Sequence, residues 1–268
     1  MATFVAEQAW IDPRAELDDD VYVGPFCVIG PQVRIGRGSR LENNVTLSGK
    51  VEIGEFNRLY AGCVIGAEPQ DLSYTGSATK VMLGDHNVIR ECVTINRATE
   101  KEHGVTQLGS HNYLMACSHV AHDCVVGDHV IIANGTLLGG HVHVEDYASL
   151  SGSVAVHHYG TVGKYAFVGG QSRVFHDVPP FMLVDGHPAR VRCINIVGLK
   201  RRGFSPETLH SLAEAHRLIY RAKVGLEHAR EILSNNELIN PPVAELLDFV
   251  EQQQQGKHGR SRERLRAA

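Results

Sequence analysis

Along most of this chain a branched aliphatic residue recurs every six positions. The series runs from Ile11 through Leu17, Val23, Ile29, Ile35, Leu41, Leu47, Ile53 and Leu59 to Ile65, and resumes at Leu83, Ile89 and Ile95. It then continues without a gap from Leu108 through Leu114, Val120, Val126, Ile132, Leu138, Val144, Leu150, Val156, Val162 and Val168 to Val174. Glycine often follows the aliphatic, as at Gly24, Gly30, Gly109 and Gly139, and the fourth residue after it is small or β-branched, with Cys27, Cys63 and Cys124 in that slot. A period of six is the signature of a parallel β-helix, in which each short strand turns its aliphatic side chain inward and a turn residue lets the chain bend. Three hexads make one coil of a triangular prism, and coils stack at ~4.8 Å, the spacing of hydrogen-bonded strands. The repeat region accounts for roughly nine or ten coils.

Residues 67–80 and 99–107 break the register with polar, Gly-containing sequence and are expected as loops pushed out from the prism. A smooth prism offers few concavities, so such loops are where binding groups can be added. From Ser205 the periodicity changes. Ser205 as N-cap, Pro206 at the first helical position and Glu207 in the first turn announce a helix. Leu209, Leu212, Ala213, His216, Ile219 and Tyr220 mark its apolar face. Asn235 and Asn236 suggest a break, Pro241 and Pro242 a restart, and Val243, Leu246, Leu247 and Val250 a second short helix. The expected architecture is therefore mainly β, with a hexapeptide prism over 1–195, a helical domain over 196–251 and a basic tail over 252–268. The tail has no apolar face and is expected to lack structure.

Composition adds exclusions. With 27 glycines, 43% hydrophobic and 6% aromatic residues, coiled coil and acidic disorder are poor fits. The net charge of −4 divides unevenly, since residues 1–195 carry 14 basic and 21 acidic side chains and residues 196–268 carry 12 and 9. A negative chain without aromatic interleaving argues against nucleic acid. No apolar stretch approaches the ~20 residues that span a bilayer, and the N-terminus has no basic start followed by an apolar run. These features lead to the expectation of a soluble, cytoplasmic protein. The six cysteines form no CxxC pair and are expected to be reduced, buried small residues.

The candidate chemistry lies in CSHVAHDC, where His119, His122 and Asp123 share one coil. His141 follows His122 by one coil plus one residue, and His157 and His158 come about two coils on. Stacked imidazoles suit either metal binding or general-base catalysis with a carboxylate orienting the ring. The three-His zinc sites of β-helix proteins resembling carbonic anhydrase use a pair five apart, and no His pair here has that spacing. Lys200, Arg201 and Arg202, just after the prism, are where a diphosphate would need charge.

The segments EPQDL, IRECVTINR, SHVAHDC, DVPPFMLVDGHPAR and above all GLKRRGFS, in this order, resemble the UDP-N-acetylglucosamine O-acyltransferase family, within the left-handed β-helix acyltransferase superfamily. The resemblance covers Ile11 to about Phe249. It implies a left-handed prism in a homotrimer with sites between neighbouring subunits, and transfer of an (R)-3-hydroxyacyl chain from acyl carrier protein to the sugar 3-hydroxyl, the first step of lipid A biosynthesis, with neither metal nor other cofactor. It further implies His122 as general base, Asp123 as its orienting partner and the Gly140 N–H as oxyanion donor. His119 and His141 would contact the substrates and Asp71 the sugar. Asn195, Arg201 and Arg202 would hold the nucleotide phosphates. His157 and Gly170 would line the acyl groove, with His158 beside them and Gly170 as its ruler. Arg217, Arg221 and Lys223 are candidates for receiving the acidic carrier protein. The chain departs from the family pattern at Ser73, where a Lys is usual, and at Asn96, Ala98, His158 and Val197. These departures leave open a non-catalytic trimeric scaffold, or a related acyltransferase with a changed sugar acceptor.

Overall fold

A computed structural model describes residues 3–263 of the chain. Residues 4–174 wind into a left-handed parallel β-helix with three faces. Its first face stacks strands such as Tyr22–Val23, Arg40–Leu41, Tyr113–Leu114 and Phe167–Val168. The second stacks Val28–Ile29, Thr94–Asn96, His119–Val120 and Leu137–Leu138 among its nine strands, and the third Gln32–Ile35, Val125–Val126 and His143–Val144 among its eight. Each face is followed by a corner, named first, second and third after the face that precedes it.

The aliphatic repeat becomes the core because every hexad turns one side chain inward. All the repeat positions from Val23 to Val174 are buried, and only Ile11 and Leu17, in the terminal coil, are partly covered. Pairing is parallel with an offset of 18 residues, as in Tyr22↔Arg40 and Tyr113↔Ile131. The two interruptions lengthen that offset to 30 residues at Arg58↔Val88 and 25 at Val88↔Tyr113. Both loops leave from the second corner, after Val64–Ala67 and after Thr94–Asn96, and rejoin the third face at Lys80–Leu83 and Val105–Leu108. Inside the third corner Asn57, Asn87 and Asn112 form a buried ladder. The Asn57 side chain accepts from Asn87 N–H and the Asn87 side chain from Asn112 N–H, both at 2.9 Å. Such amides satisfy backbone donors that a corner leaves without strand partners.

Above the last coil the strand direction changes in a way the hexad pattern does not announce. Met182–Gly186 pairs parallel to Phe167–Val168, and Ala189–Ile194 returns antiparallel to it, closing one edge of the prism. The helical part follows as α1 (Ile196–Arg201), α2 (Pro206–His216), α3 (Leu226–Asn235) and α4 (Pro241–Gln255). Asn195, Ser205 and Asn240 cap α1, α2 and α4, each side chain accepting from a backbone N–H three residues on. Phe181, Met182, Leu199, Leu212, Leu218, Leu233, Leu246 and Leu247 make a second core.

Several expectations need correction. The helix starting at Pro206 does not run unbroken to Asn235. A π-helical turn over Arg217–Ala222, then Lys223 and Gly225 at φ 54° and 87°, divides it. The turn alters the helical phase, so Ala215 and Leu218 are buried where Ala213 was expected. Cys27, Cys63 and Cys124 are buried free thiols, whereas Cys92, Cys117 and Cys193 are exposed. Cys92 and Cys117 occupy left-handed corner positions whose side chains point away from the core.

The segment from 252 is also more ordered than its composition suggests. The helix α4 continues to Gln255, and residues 257–263 fold back onto the top of the prism. Gln253 donates to the Asp177 carbonyl, Arg260 to the Phe175 carbonyl and the Ser261 N–H to the Asp177 carboxylate, at 2.6, 2.6 and 2.7 Å. Arg264 and Arg266 lie outside the described residues. No helix among the described residues is long and apolar enough to cross a membrane.

Because the prism interior is close-packed, shortening an inward side chain leaves a cavity that neighbouring coils cannot fill. Leu114, fully buried at mid-prism, is a suitable site. Leu114→Ala is expected to cost ~2–5 kcal/mol in denaturant unfolding.

Candidate active site

The second corner brings together His122, Asp123, Gly140, His141, His157 and His158. At each such corner one residue must adopt left-handed backbone geometry, and here Asp123, His141 and Tyr159 do so, with φ of 59°, 64° and 62°. The coil register then stacks them: His141 N–H donates to the His122 carbonyl at 3.0 Å, and Tyr159 N–H to the Gly140 carbonyl at 3.1 Å.

His122 Nδ1 lies 2.8 Å from Asp123 Oδ2, so a contact between sequence neighbours forms a histidine–carboxylate dyad. Asp123 is 2% exposed. Burial pushes its carboxyl up, but hydrogen bonds from His122 and Thr99 outweigh this and hold it below the usual range. Thr99 donates through its hydroxyl at 2.6 Å and its N–H at 3.1 Å. A carboxylate held ionised in this way fixes the His122 tautomer with the proton on Nδ1, leaving Nε2 as the basic nitrogen. His141 stands edge-on to His122, with ring centroids 5.1 Å apart, and stacks on Tyr159 at 4.3 Å.

Gly140 is fitted to the His122 ring. A Cβ at this position would sit 2.5 Å from Cε1 and 2.7 Å from Nε2, a separation that side chains do not tolerate. Among the described residues its N–H has no hydrogen-bond partner, leaving one backbone donor beside the basic nitrogen. His119 faces outward on the second face, its Nδ1 2.7 Å from the Thr94 hydroxyl, and burial holds its pKa below the ordinary histidine value. The His157 and His158 rings pack at 3.8 Å, and His157 Nδ1 donates to the His158 carbonyl at 3.0 Å.

Both loops flank this corner. Asp71, in the first, pairs with Lys101 of the second and accepts from Ser73, and these contacts hold its carboxyl well below the usual carboxylate range. Arg97 braces the first loop, donating to the Gly66 carbonyl and the Tyr74 hydroxyl and pairing with Glu68. Asn96, one of the departures from the family pattern, donates to the Glu68 carbonyl at 2.5 Å and ties the loop down at its root.

Other expected site residues lie elsewhere. Asn195 caps α1, and its amide donates to the Tyr165 carbonyl. The Arg202 guanidinium lies 4.7 Å from the Tyr147 ring centroid. Tyr147 and Tyr165 belong to a column of stacked rings on the third corner that begins at Phe56 and includes His86, His111 and His129. Arg201 is exposed at the end of α1. Gly170 lies on the first corner, across the second face from His122, and a Cβ there would meet only ordinary contacts, the nearest at 3.5 Å from the Gly152 carbonyl oxygen. One chain therefore does not bring Asn195, Arg201, Arg202 or Gly170 to the dyad.

Ligand atoms of His122, Asp123 and His141 lie within 4.8 Å of one another, a spacing that a metal ion could use. Three of the surrounding hydrogen bonds already point at Asp123, so the group has a complete description as a hydrogen-bonded acid–base dyad. Thr99, Lys101 and Glu102 lie in a polar loop with no spacing signal and were not legible as site residues. Arg262 was hidden in an apparently featureless tail.

The family model described as UDP-N-acetylglucosamine O-acyltransferase, domain 2, matches residues 177–258, and the bacterial transferase hexapeptide model matches 14–49 and 106–140. A protein of Thermodesulfovibrio yellowstonii named acyl-[acyl-carrier-protein]–UDP-N-acetylglucosamine O-acyltransferase is 44% identical over 252 residues, covering 94% of this chain and 98% of that protein. One of the same name from Gloeothece citriformis is 49% identical over 208 residues, covering 78% and 75%. Among solved structures, a UDP-N-acetylglucosamine acyltransferase from Bacteroides fragilis superposes with a TM-score of 0.90 at 35% identity, covering 92% of this chain and 97% of that one.

The contact between Gly140 and the imidazole gives a test of this corner. Gly140→Ala is expected to push the His122 ring aside and lower kcat by ~10²-fold while thermal unfolding of the variant follows that of the parent.

Proposed function

The chain belongs to the UDP-N-acetylglucosamine O-acyltransferase family, and from that premise we propose how its second corner performs the reaction. The activity is transfer of an acyl chain from acyl carrier protein to an oxygen of UDP-N-acetylglucosamine, the first step of lipid A biosynthesis. In the proposed mechanism the donor is an (R)-3-hydroxyacyl thioester and the acceptor is the sugar 3-hydroxyl. His122 Nε2 takes the hydroxyl proton as the oxygen attacks the thioester carbonyl. Asp123 stabilises the resulting imidazolium through Nδ1–H, and the Gly140 N–H bonds the oxyanion. Collapse of the tetrahedral intermediate breaks the C–S bond, and His122 returns the proton to the carrier-protein thiol. The observation that carries this reading is the 2.8 Å His122–Asp123 contact with Gly140 packed against the same ring.

Asp71, fixed by Lys101, takes the sugar in this reading, and His119 and His141 contact the substrates. Lys101 supplies a cation to the loop that carries Ser73 in place of the usual Lys. Asn195, Arg201 and Arg202 take the nucleotide phosphates from a neighbouring subunit. Their third corner and the dyad's second corner are separated within one chain, and a closed threefold ring lets the two meet across an interface. A homotrimer with shared sites follows. The acyl chain crosses the second face, where Leu137 is 49% exposed, past His157 and His158 toward Gly170. The carrier protein docks on the helical part. There Arg217 is paired with Glu214, which leaves Arg221 and Lys223 as the more available cations. A carrier-protein donor also fits a cytoplasmic location.

His122→Ala is expected to lower kcat by ~10²–10⁴-fold without loss of folding. More than about a tenth of parental activity in that variant would remove the residue from this role. Trimers mixed from His122→Ala and Arg202→Ala subunits should recover activity that neither variant shows alone, and sedimentation should find no active monomer. Gly170→Met should shift preference toward shorter acyl chains. Each methylene buried in the groove is worth ~0.8 kcal/mol, and an unchanged chain-length profile would place the ruler elsewhere.

A further inference from the structure

The strap formed by residues 257–263 ends at the dyad. Arg262 Nη1 donates to the His141 carbonyl at 2.5 Å, and its Nη2 lies 3.7 Å from Glu102 Oε1. His141 is 3% exposed and sits between two carboxylates, with Asp123 Oδ2 3.9 Å from Nε2 and Glu102 Oε1 3.3 Å from Nδ1. The Nδ1 atom makes no hydrogen bond with proper geometry. Two nearby carboxylates favour an imidazolium, and a nearby guanidinium opposes it. The other groups around the ring are His122, Tyr159, His158, His143 and His103.

An imidazolium at 141 would compete with His122 for Asp123 and weaken the base. Resting on the dyad mechanism above, we infer that Arg262 is a positioning residue for the reaction. By balancing Glu102 and gripping the His141 backbone, it keeps the His141 ring neutral beside Asp123. Half-burying a guanidinium is costly, and burial accordingly pulls the Arg262 pKa down. The strap meets that cost with contacts of its own, through Asp177, Arg260 and Ser261. The same grip extends to the base, because His141 N–H is bonded to the His122 carbonyl.

The test compares Arg262→Gln, Arg262→Lys, Glu102→Gln and the Arg262→Gln/Glu102→Gln double variant in the full-length protein. Two readouts are taken, the pH dependence of kcat and the ring titration of His141 by NMR. Arg262→Gln should lower kcat near neutral pH about tenfold with little change in either KM. It should also move the His141 titration and the acid limb of kcat to higher pH. Glu102→Gln should move the titration to lower pH, Arg262→Lys should fall between Arg262→Gln and the parent, and the double variant should return toward the parent in both readouts. A parental titration in Arg262→Gln, or a double variant no closer to the parent than Arg262→Gln, overturns the inference. The NMR titration needs no turnover, so it distinguishes this failure from failure of His122 as the base. If Arg262→Gln does not fold, an unmoved titration in Glu102→Gln is equally decisive.

Discussion

Most strands of this prism hold two residues, too few to be stable alone, so the structure depends on each coil landing 18 residues above the last. Parallel pairing then repeats up three faces, and equivalent positions become columns. Inward columns of Val, Leu and Ile make a close-packed interior. Corner columns must provide left-handed backbone and satisfy donors that the strands do not, which the asparagine ladder does inside the third corner. A chain with only 6% aromatic residues reaches stability in this way, through repetition of small, well-paired units.

The active corner is a use of the same columns. Asp123 and His141 occupy successive left-handed positions, so the register that builds the core also sets the second histidine over the dyad. The loops enter at the one corner where added length disturbs no strand pairing. They bring Thr99 under Asp123 and Glu102 beside His141. The strap comes down from above. The site is thus held from three directions by segments that lie outside the repeat.

The hexad period made the fold legible, because one inward aliphatic per six residues is a requirement that every coil must meet. It also made His122, Asp123 and His141 readable as neighbours, since coil arithmetic places them together. The arithmetic does not extend to segments outside the register. Thr99 and Glu102 depend on the path of a loop, and Arg262 on a turn that docks through Asp177, a residue unremarkable in the sequence. The π-helical turn after His216 was invisible for a related reason. Its sequence, RLIYRA, carries no breaker, and the change of phase comes from packing on the second core. Cys92 and Cys117 show the limit of composition, since an amino acid that usually hides inside is here turned outward by the corner it occupies.

The columnar register also constrains how such a chain can change in length over descent. A single inserted residue within a coil would turn every later inward side chain toward a face or a corner, whereas a duplication of one full coil preserves every column. Length in the prism is therefore quantised, and growth below the dyad would leave the spacing between the catalytic corner and the helical cap untouched. A coil added between Asp123 and the Asp177 anchor would instead carry the strap away from His141, about one strand spacing per coil. The number of coils above the dyad is thus part of the site's geometry, although none of the residues that fill them touches the reacting atoms.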